Sequence, residues 1–173
     1  MKAGSKWKNG VVRVLLTVYI FLMFKVIVLK FHPRDAWFLW ERLKRNIAHT
    51  EYIVGNLQAG NLIPLKEISQ TLDTMTGPGL LNLLGNIVIF IPFGLLLGAL
   101  GRAGKLALAG ALWRSFAVSL GFESAQVLFS IGAFDVDDLI LNSFGGALGF
   151  VMYRLGSRLT TAASSVPDGK PAR

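Results

Sequence analysis

The stretch GFESAQVLFSIGAFDVDDLILNSFGGALGF, residues 121–150, decides the fold. It sets Glu123, Gln126, Asp135, Asp137, Asp138 and Asn142 inside or beside two runs that are otherwise apolar enough to cross a membrane. Extended outward to the neighbouring breaks, the two runs predict helices over about 106–130 and 137–155, each long enough for ~30 Å of hydrocarbon. The acidic segment between them is the short connection.

Two further runs have the same character. LLNLLGNIVIFIPFGLLLGAL predicts a span over about 80–100, with Pro92 tolerated because neighbouring groups can satisfy the freed backbone carbonyl; a kink is expected near Ile89 or Phe90. VVRVLLTVYIFLMFKVIVLKF, behind a basic start and without a small-residue cleavage site, predicts an uncleaved first span over about 10–30. The expected fold is an all-α membrane protein, a four-transmembrane-helix bundle with a long external loop carrying an amphipathic helix. Residues 1–155 form its single domain, and 156–173 a disordered cytoplasmic tail.

Composition agrees. Of 173 residues, 53% are apolar and 16% charged, which excludes an ordinary soluble domain. The formal charge of +8 sits beside apolar runs, where it sets topology and does not point to nucleic acid. Lys2, Lys6, Lys8 and Arg13, the loop residues Arg102 and Lys105, and Arg154, Arg158, Lys170 and Arg173 at the C-terminal end share one side. Lys30, Arg34, Arg42, Lys44, Arg45 and Lys66 occupy the other, in a longer loop with weaker topological influence. Both termini are therefore expected in the cytoplasm. With no cysteine, disulfides, thiolate metal sites and cysteine nucleophiles are excluded.

In the first loop, Trp37, Trp40, Leu43 and Ile47 recur at helical spacing opposite a basic, polar flank. Such a stripe suits either an interfacial helix or a small cap packed over the bundle. GNLQAGNLIPLKEI reads as turn-rich, stopped by Pro64.

The polar residues converge on one end. Ser115, Ser119, Glu123 and Gln126 fall within an arc of about 80°, with Arg114 off that stripe. Asn82 and Asn86 repeat at four residues, as do Asp138 and Asn142. Antiparallel connection brings these ends to one membrane face, with Glu123 and Asn86 about 9 Å below the boundary at 1.5 Å per residue. A carboxylate in hydrocarbon costs on the order of 3 kcal/mol, so Glu123 is expected to face protein or water. The candidate ligand-binding set is Asn86, Glu123, Gln126, Asp138 and Asn142, around an outward-facing acidic pocket. Alternatively Glu123 bonds Asn86 and Asn142 and only holds three helices together. Asp135 and Asp137 read first as helix caps.

Oxygen ligands of this kind suit a hard cation, a proton or a hydrogen-bonding head group. No cofactor is indicated, and no metal is assigned: His32 and His49 lack ligand spacing and read as surface histidines. No catalytic residue is assigned either, since Ser115 and Ser119 have no histidine partner in the spans. Gly94 with Gly98, and Gly145 with Gly149, form small-xxx-small spacings that predict close helix contact.

NLIPLKEI, NLLGNIVIFIPFG, SLGFESAQ and FDVDDLILNSFGGALG, in this order over residues 55–153, resemble the motifs of the VanZ-like family of bacterial membrane proteins. That family is named for a protein associated with resistance to the glycopeptide antibiotic teicoplanin. On the resemblance, Asn61, Pro64, Asn86, Pro92, Phe93, Gly94, Ser119, Glu123, Gln126, Asp135, Asp138, Asn142 and Gly146 match motif positions. One departure stands out: members often carry a basic residue where this chain has Ala133 and Phe134. The site is then either more acidic than usual, or served by an arginine of the first loop.

The resemblance implies a multi-pass protein of the bacterial cell membrane with an envelope role and glycopeptide resistance. An outward polar pocket is well placed to meet membrane lipids, a lipid-linked wall precursor or a lipoglycopeptide. Two other classes stay open: an intramembrane enzyme on an envelope lipid, with Glu123 as general acid or base, and a cation-coupled carrier. Oligomeric state is not legible.

Overall fold

A computed structural model of the chain describes residues 2–29, 36–101 and 107–164. Lys30, His32, Arg34, Arg102, Lys105 and the tail beyond residue 164, which entered the sequence reading, lie outside the described residues.

The described chain is helical: α1 (Lys2–Met23), running into a π-helical turn at Phe24–Val28, α2 (Ala36–Ala48), α3 (Glu51–Gln58), α4 (Lys66–Thr74), α5 (Gly77–Leu100), α6 (Leu108–Leu128) and α7 (Val136–Ser164). No strand occurs among the described residues, only an isolated parallel bridge between Asn61 and Asp135. By length and composition two segments suffice to cross a membrane, Lys6–Ile27 and Gly77–Leu100. The helices expected over 106–130 and 137–155 are present, but their polar stripes lower the mean hydropathy that marks the other two.

Contacts fix the relative directions. A Cβ on Gly94 would meet the Gly146 carbonyl, one on Gly98 the Tyr153 side chain, and ones on Gly145 and Gly149 the carbonyls of Ile87 and Ile91. Residue numbers rise together along both helices, so α5 and α7 run parallel. Against α7, Ser115 lies by Gly146 and Ser119 bonds Asn142; the numbers run oppositely and α6 is antiparallel. Tyr19 reaches Ile89, while Val26 and Ile27 approach Asn82 and Asn86, making α1 antiparallel to α5. The four long helices thus alternate in direction. The glycines serve this contact within one chain, where the absence of Cβ lets backbones touch.

Pro92 sits inside a continuous α5. It removes the donor to the Val88 carbonyl and crowds that turn. The neighbouring carbonyl, that of Ile89, accepts the Tyr19 hydroxyl at 2.8 Å. Between the helices Phe90, Phe93 and Phe122 are buried, their rings meeting edge-on at 5.8 and 6.5 Å, a favoured aromatic arrangement.

The C-terminus of α6 closes without glycine. Ser130 takes φ 48°, Ile131 donates to the Gln126 carbonyl at 2.9 Å and Ser130 to that of Val127 at 3.1 Å, the paired bonds of a Schellman turn. A non-glycine residue there costs roughly 1–2 kcal/mol. Neighbouring helices hold it: buried Asn46 of α2 donates to the Leu128 carbonyl and to Ser130 Oγ at 2.7 and 2.8 Å, and Asn56 of α3 to the same Oγ at 2.8 Å.

α7 differs from expectation at its far end. It does not stop at 155 but continues to Ser164, because no proline follows before Pro167 and one glycine, Gly156, is insufficient to end a helix. On α2, Trp37, Trp40 and Ile47 are exposed while Asn46 is buried; Leu39 packs on the core. The tryptophan stripe does not pack over the bundle as a cap would require.

Candidate ligand groove

All four residues of the α6 polar stripe, Ser115, Ser119, Glu123 and Gln126, are buried, as their shared arc requires. Arg114, off the stripe, is exposed and donates to the Gly110 carbonyl of its own helix at 2.9 Å. The Ser115 hydroxyl also bonds within its helix, to the Ala111 carbonyl at 2.9 Å.

The polar ends of α5, α6 and α7 meet at a groove of about 420 Å³. Its lining combines apolar side chains, Val26 and Ile27 of the π turn with Leu81 and Ile89 of α5, and polar ones, Asn82, Asn86, Gln126, Asp135 and Asp138. The Asn86 amide donates to Asp138 Oδ1, tying α5 to α7. Gln126 Nε2 donates to the Ile27 carbonyl at 3.1 Å, tying α6 to the π turn and fixing the mouth of the groove.

Of the five expected ligand residues, Asn86, Gln126 and Asp138 therefore line one groove. Glu123 and Asn142 are each 1% exposed and lie behind it. Glu123 Oε2 accepts the Asp135 backbone N–H at 2.9 Å, and Asn142 Nδ2 donates to Ser119 Oγ at 2.8 Å. The Asn142 Oδ1 meets no donor among the described residues. The amides of Asn86 and Asn142 thus donate to Asp138 and Ser119.

Asp135 does cap its own helix: its Oδ1 accepts the Asp137 N–H at 2.8 Å, the bond to the second helical residue that an N-cap makes. The same Oδ1 accepts from Asn61 Nδ2 at 3.0 Å, and the backbones join through Asn61 N–H to the Phe134 carbonyl and Val136 N–H to the Asn61 carbonyl, at 2.8 and 2.9 Å. Asp137 caps a different helix. Its Oδ1 accepts the Leu65 N–H at 2.5 Å, its Oδ2 those of Glu67 and Ile68 at 2.7 and 3.1 Å, so it satisfies the exposed donors at the start of α4.

Beyond Asp135 and Asp138 lies a crevice of about 10 Å³, lined also by Glu67, Thr71, Asn82 and Asp137, room for about one water. Glu67 is the site residue that the sequence reading left out; it lay within NLIPLKEI but carried no periodic signal. Its pKa is raised, first by burial, then by the charge of Asp135, a side-chain hydrogen bond with Asp135 and the charge of Asp137, with Lys66 opposing.

Of the first-loop arginines within the described residues, Arg42 lies over the Phe38 ring and Arg45 over that of Tyr52, at 5.1 and 4.9 Å. His49 faces Glu51 at 3.2 Å on an exposed surface. Among the described residues no three carboxylate or histidine side chains converge as a metal-holding group.

The family described as VanZ/LLP1 matches over residues 16–157, a longer region than the quoted motifs span. Protein VanZ of Enterococcus faecium is 37% identical over 97 residues, 54% of this chain and 56% of that protein. The chain thus spans about half the length of the curated relative it matches. No solved structure matches. By the match over most of its length, the chain belongs to the VanZ/LLP1 family.

Proposed function

We propose that this chain is a cell-envelope membrane protein that binds the head group of an envelope lipid, a lipid-linked wall precursor or a lipoglycopeptide in the groove between α1, α5, α6 and α7, and that this binding underlies glycopeptide resistance of the teicoplanin type. In this reading the four long helices all cross the membrane, both termini are cytoplasmic and the groove opens outward. The alternating helix directions and the two strongly apolar segments support the crossing; the family and the similarity to Protein VanZ support the envelope role.

The observation that carries the proposal is the composition of the groove. Its apolar lining of Val26, Ile27, Leu81 and Ile89 suits the apolar part of an amphiphile, and its amides and carboxylates suit a head group rich in hydrogen-bond donors. Glu123 acts from behind by holding the Asp135 backbone, so that Asp135 and Asp138 keep their places at the rim.

The test is protection of a susceptible host against teicoplanin at matched expression, together with head-group binding by the purified protein. Glu123→Gln and Asp138→Ala are expected to lose protection and to bind at least about tenfold more weakly, the effect of roughly 1.4 kcal/mol. Undiminished protection by Glu123→Ala and Asp138→Ala would remove this groove from the function.

A further inference from the structure

Helix α2 has two faces with different tasks. Inward, Leu39 packs on the core that includes Met23, Phe90 and Phe122, and Asn46 caps α6. Outward, Trp37, Trp40 and Ile47 are 68%, 53% and 65% exposed, and the Lys44 ammonium lies over both indoles at 5.6 and 5.9 Å. Positions 37, 40, 44 and 47 follow three- and four-residue spacing and form one stripe.

The height of this stripe is fixed by two bonds. Gln126 holds the carbonyl of Ile27, the last residue of the apolar segment Lys6–Ile27, and Asn46 holds the carbonyl of Leu128, two residues further along the same helix. The Asn46 end of α2 therefore sits within about one turn, ~5 Å, of the level at which that segment ends. Charge complements placement: Lys44 pairs with Glu41 at 2.6 Å, and Arg42 and Arg45, beside the stripe, leave this helix net basic. Indoles flanking a cation, at the end of an apolar segment, are the side chains that favour the head-group layer, where the ring meets the acyl boundary and the cation meets phosphate.

We propose that the outward face of α2 docks on the anionic phospholipid interface of the membrane, with Trp37, Trp40 and Ile47 entering the head-group boundary and Lys44 pairing with lipid phosphate. The proposal rests on the reading of the long helices as membrane spans. A second copy of the chain is the poorer occupant, because a two-fold contact through this face would set Lys44 near its own counterpart.

The test uses the full chain with Trp7→Phe and Trp113→Phe, which leaves Trp37 and Trp40 as its indoles, in phosphatidylcholine vesicles with or without phosphatidylglycerol. Lipids brominated near the head group are expected to quench this emission at least about twofold more than lipids brominated deep in the chains. Phosphatidylglycerol should increase the effect, and Lys44→Gln should abolish that increase. Quenching by aqueous iodide and not by bromine at either depth would overturn the proposal in favour of a solvated face. Insensitivity to both, relieved by diluting protein in lipid, would overturn it in favour of a second copy. A chain whose sole indole is Trp113, on α6, separates these outcomes from failure of the span reading: bromine quenches it only where α6 lies in the bilayer.

Discussion

Asp137, in the first turn of α7, accepts the backbone N–H of Glu67 at 2.7 Å, across 70 residues of sequence. With the companion bonds from Leu65 and Ile68, a single buried carboxylate satisfies three donors at the N-terminus of α4 and complements its dipole. Asp137→Ala is expected to cost on the order of 3 kcal/mol and to accelerate hydrogen exchange at Leu65, Glu67 and Ile68. Asp137→Asn, which retains one acceptor oxygen, should lie between the two. Unchanged exchange at these amides in Asp137→Ala would contradict the cap.

The neighbouring pair gives a pH dependence. Glu67 has its pKa raised by burial and by Asp135 and Asp137, against Lys66, so the folded state holds this proton more tightly than the unfolded chain. For an acid with a raised folded pKa, the contribution to stability is complete below the unfolded value and is lost as pH rises through the folded one. Docking of α4 should therefore loosen as pH climbs above the ordinary glutamate range. Glu67→Gln, which cannot ionise, should remove that dependence. Exchange of the α4 amides, corrected for its intrinsic pH dependence, measures both, and identical profiles for the two proteins would refute a raised Glu67 pKa.

Close packing of α6 on α7 predicts a rescue. A Cβ at Gly146 would lie 1.9 Å from Ser115 Oγ and 2.7 Å from its Cβ, whereas one at Gly94 would lie 2.0 Å from the Gly146 carbonyl oxygen. Gly146→Ala should cost about 1–3 kcal/mol of overpacking, and Ser115→Gly should restore most of it by removing the obstructing side chain. Gly94→Ala meets backbone and should resist the same rescue. Unfolding of the three single variants and of the two doubles that carry Ser115→Gly, in mixed micelles, decides it.

These residues also show what the sequence could and could not carry. The α6 stripe and the glycine spacings were legible because helical periodicity alone puts Ser115, Ser119, Glu123 and Gln126 on one face, and small residues mark close approach. Asp135 was legible as a cap because its target is two residues away. Asp137 was not: sequence proximity pointed to its own helix, and nothing local shows that α4 returns to it. Asn46 and Asn56 were hidden for the same reason, as they cap α6 from more than 70 residues away. Glu123 and Asn142 were placed correctly at the polar end of the helices, but periodicity gives direction without depth, and both lie behind the groove wall.

The hydroxyl of Tyr19 allows the strain at Pro92 to be measured from a second site. Proline at 92 cannot bond the Val88 carbonyl and crowds the turn that carries Ile89, so the Ile89 carbonyl draws on Tyr19 at 2.8 Å. In Pro92→Ala the helical ladder can close, and the external donor becomes redundant. Tyr19→Phe should then cost about 1 kcal/mol in the parent chain and clearly less in the Pro92→Ala background, giving a coupling of roughly 0.5 kcal/mol or more in a double-mutant cycle. Reversible unfolding in mixed micelles supplies the four free energies. Equal costs in both backgrounds would mean that Tyr19 packs on α5 without compensating for the proline.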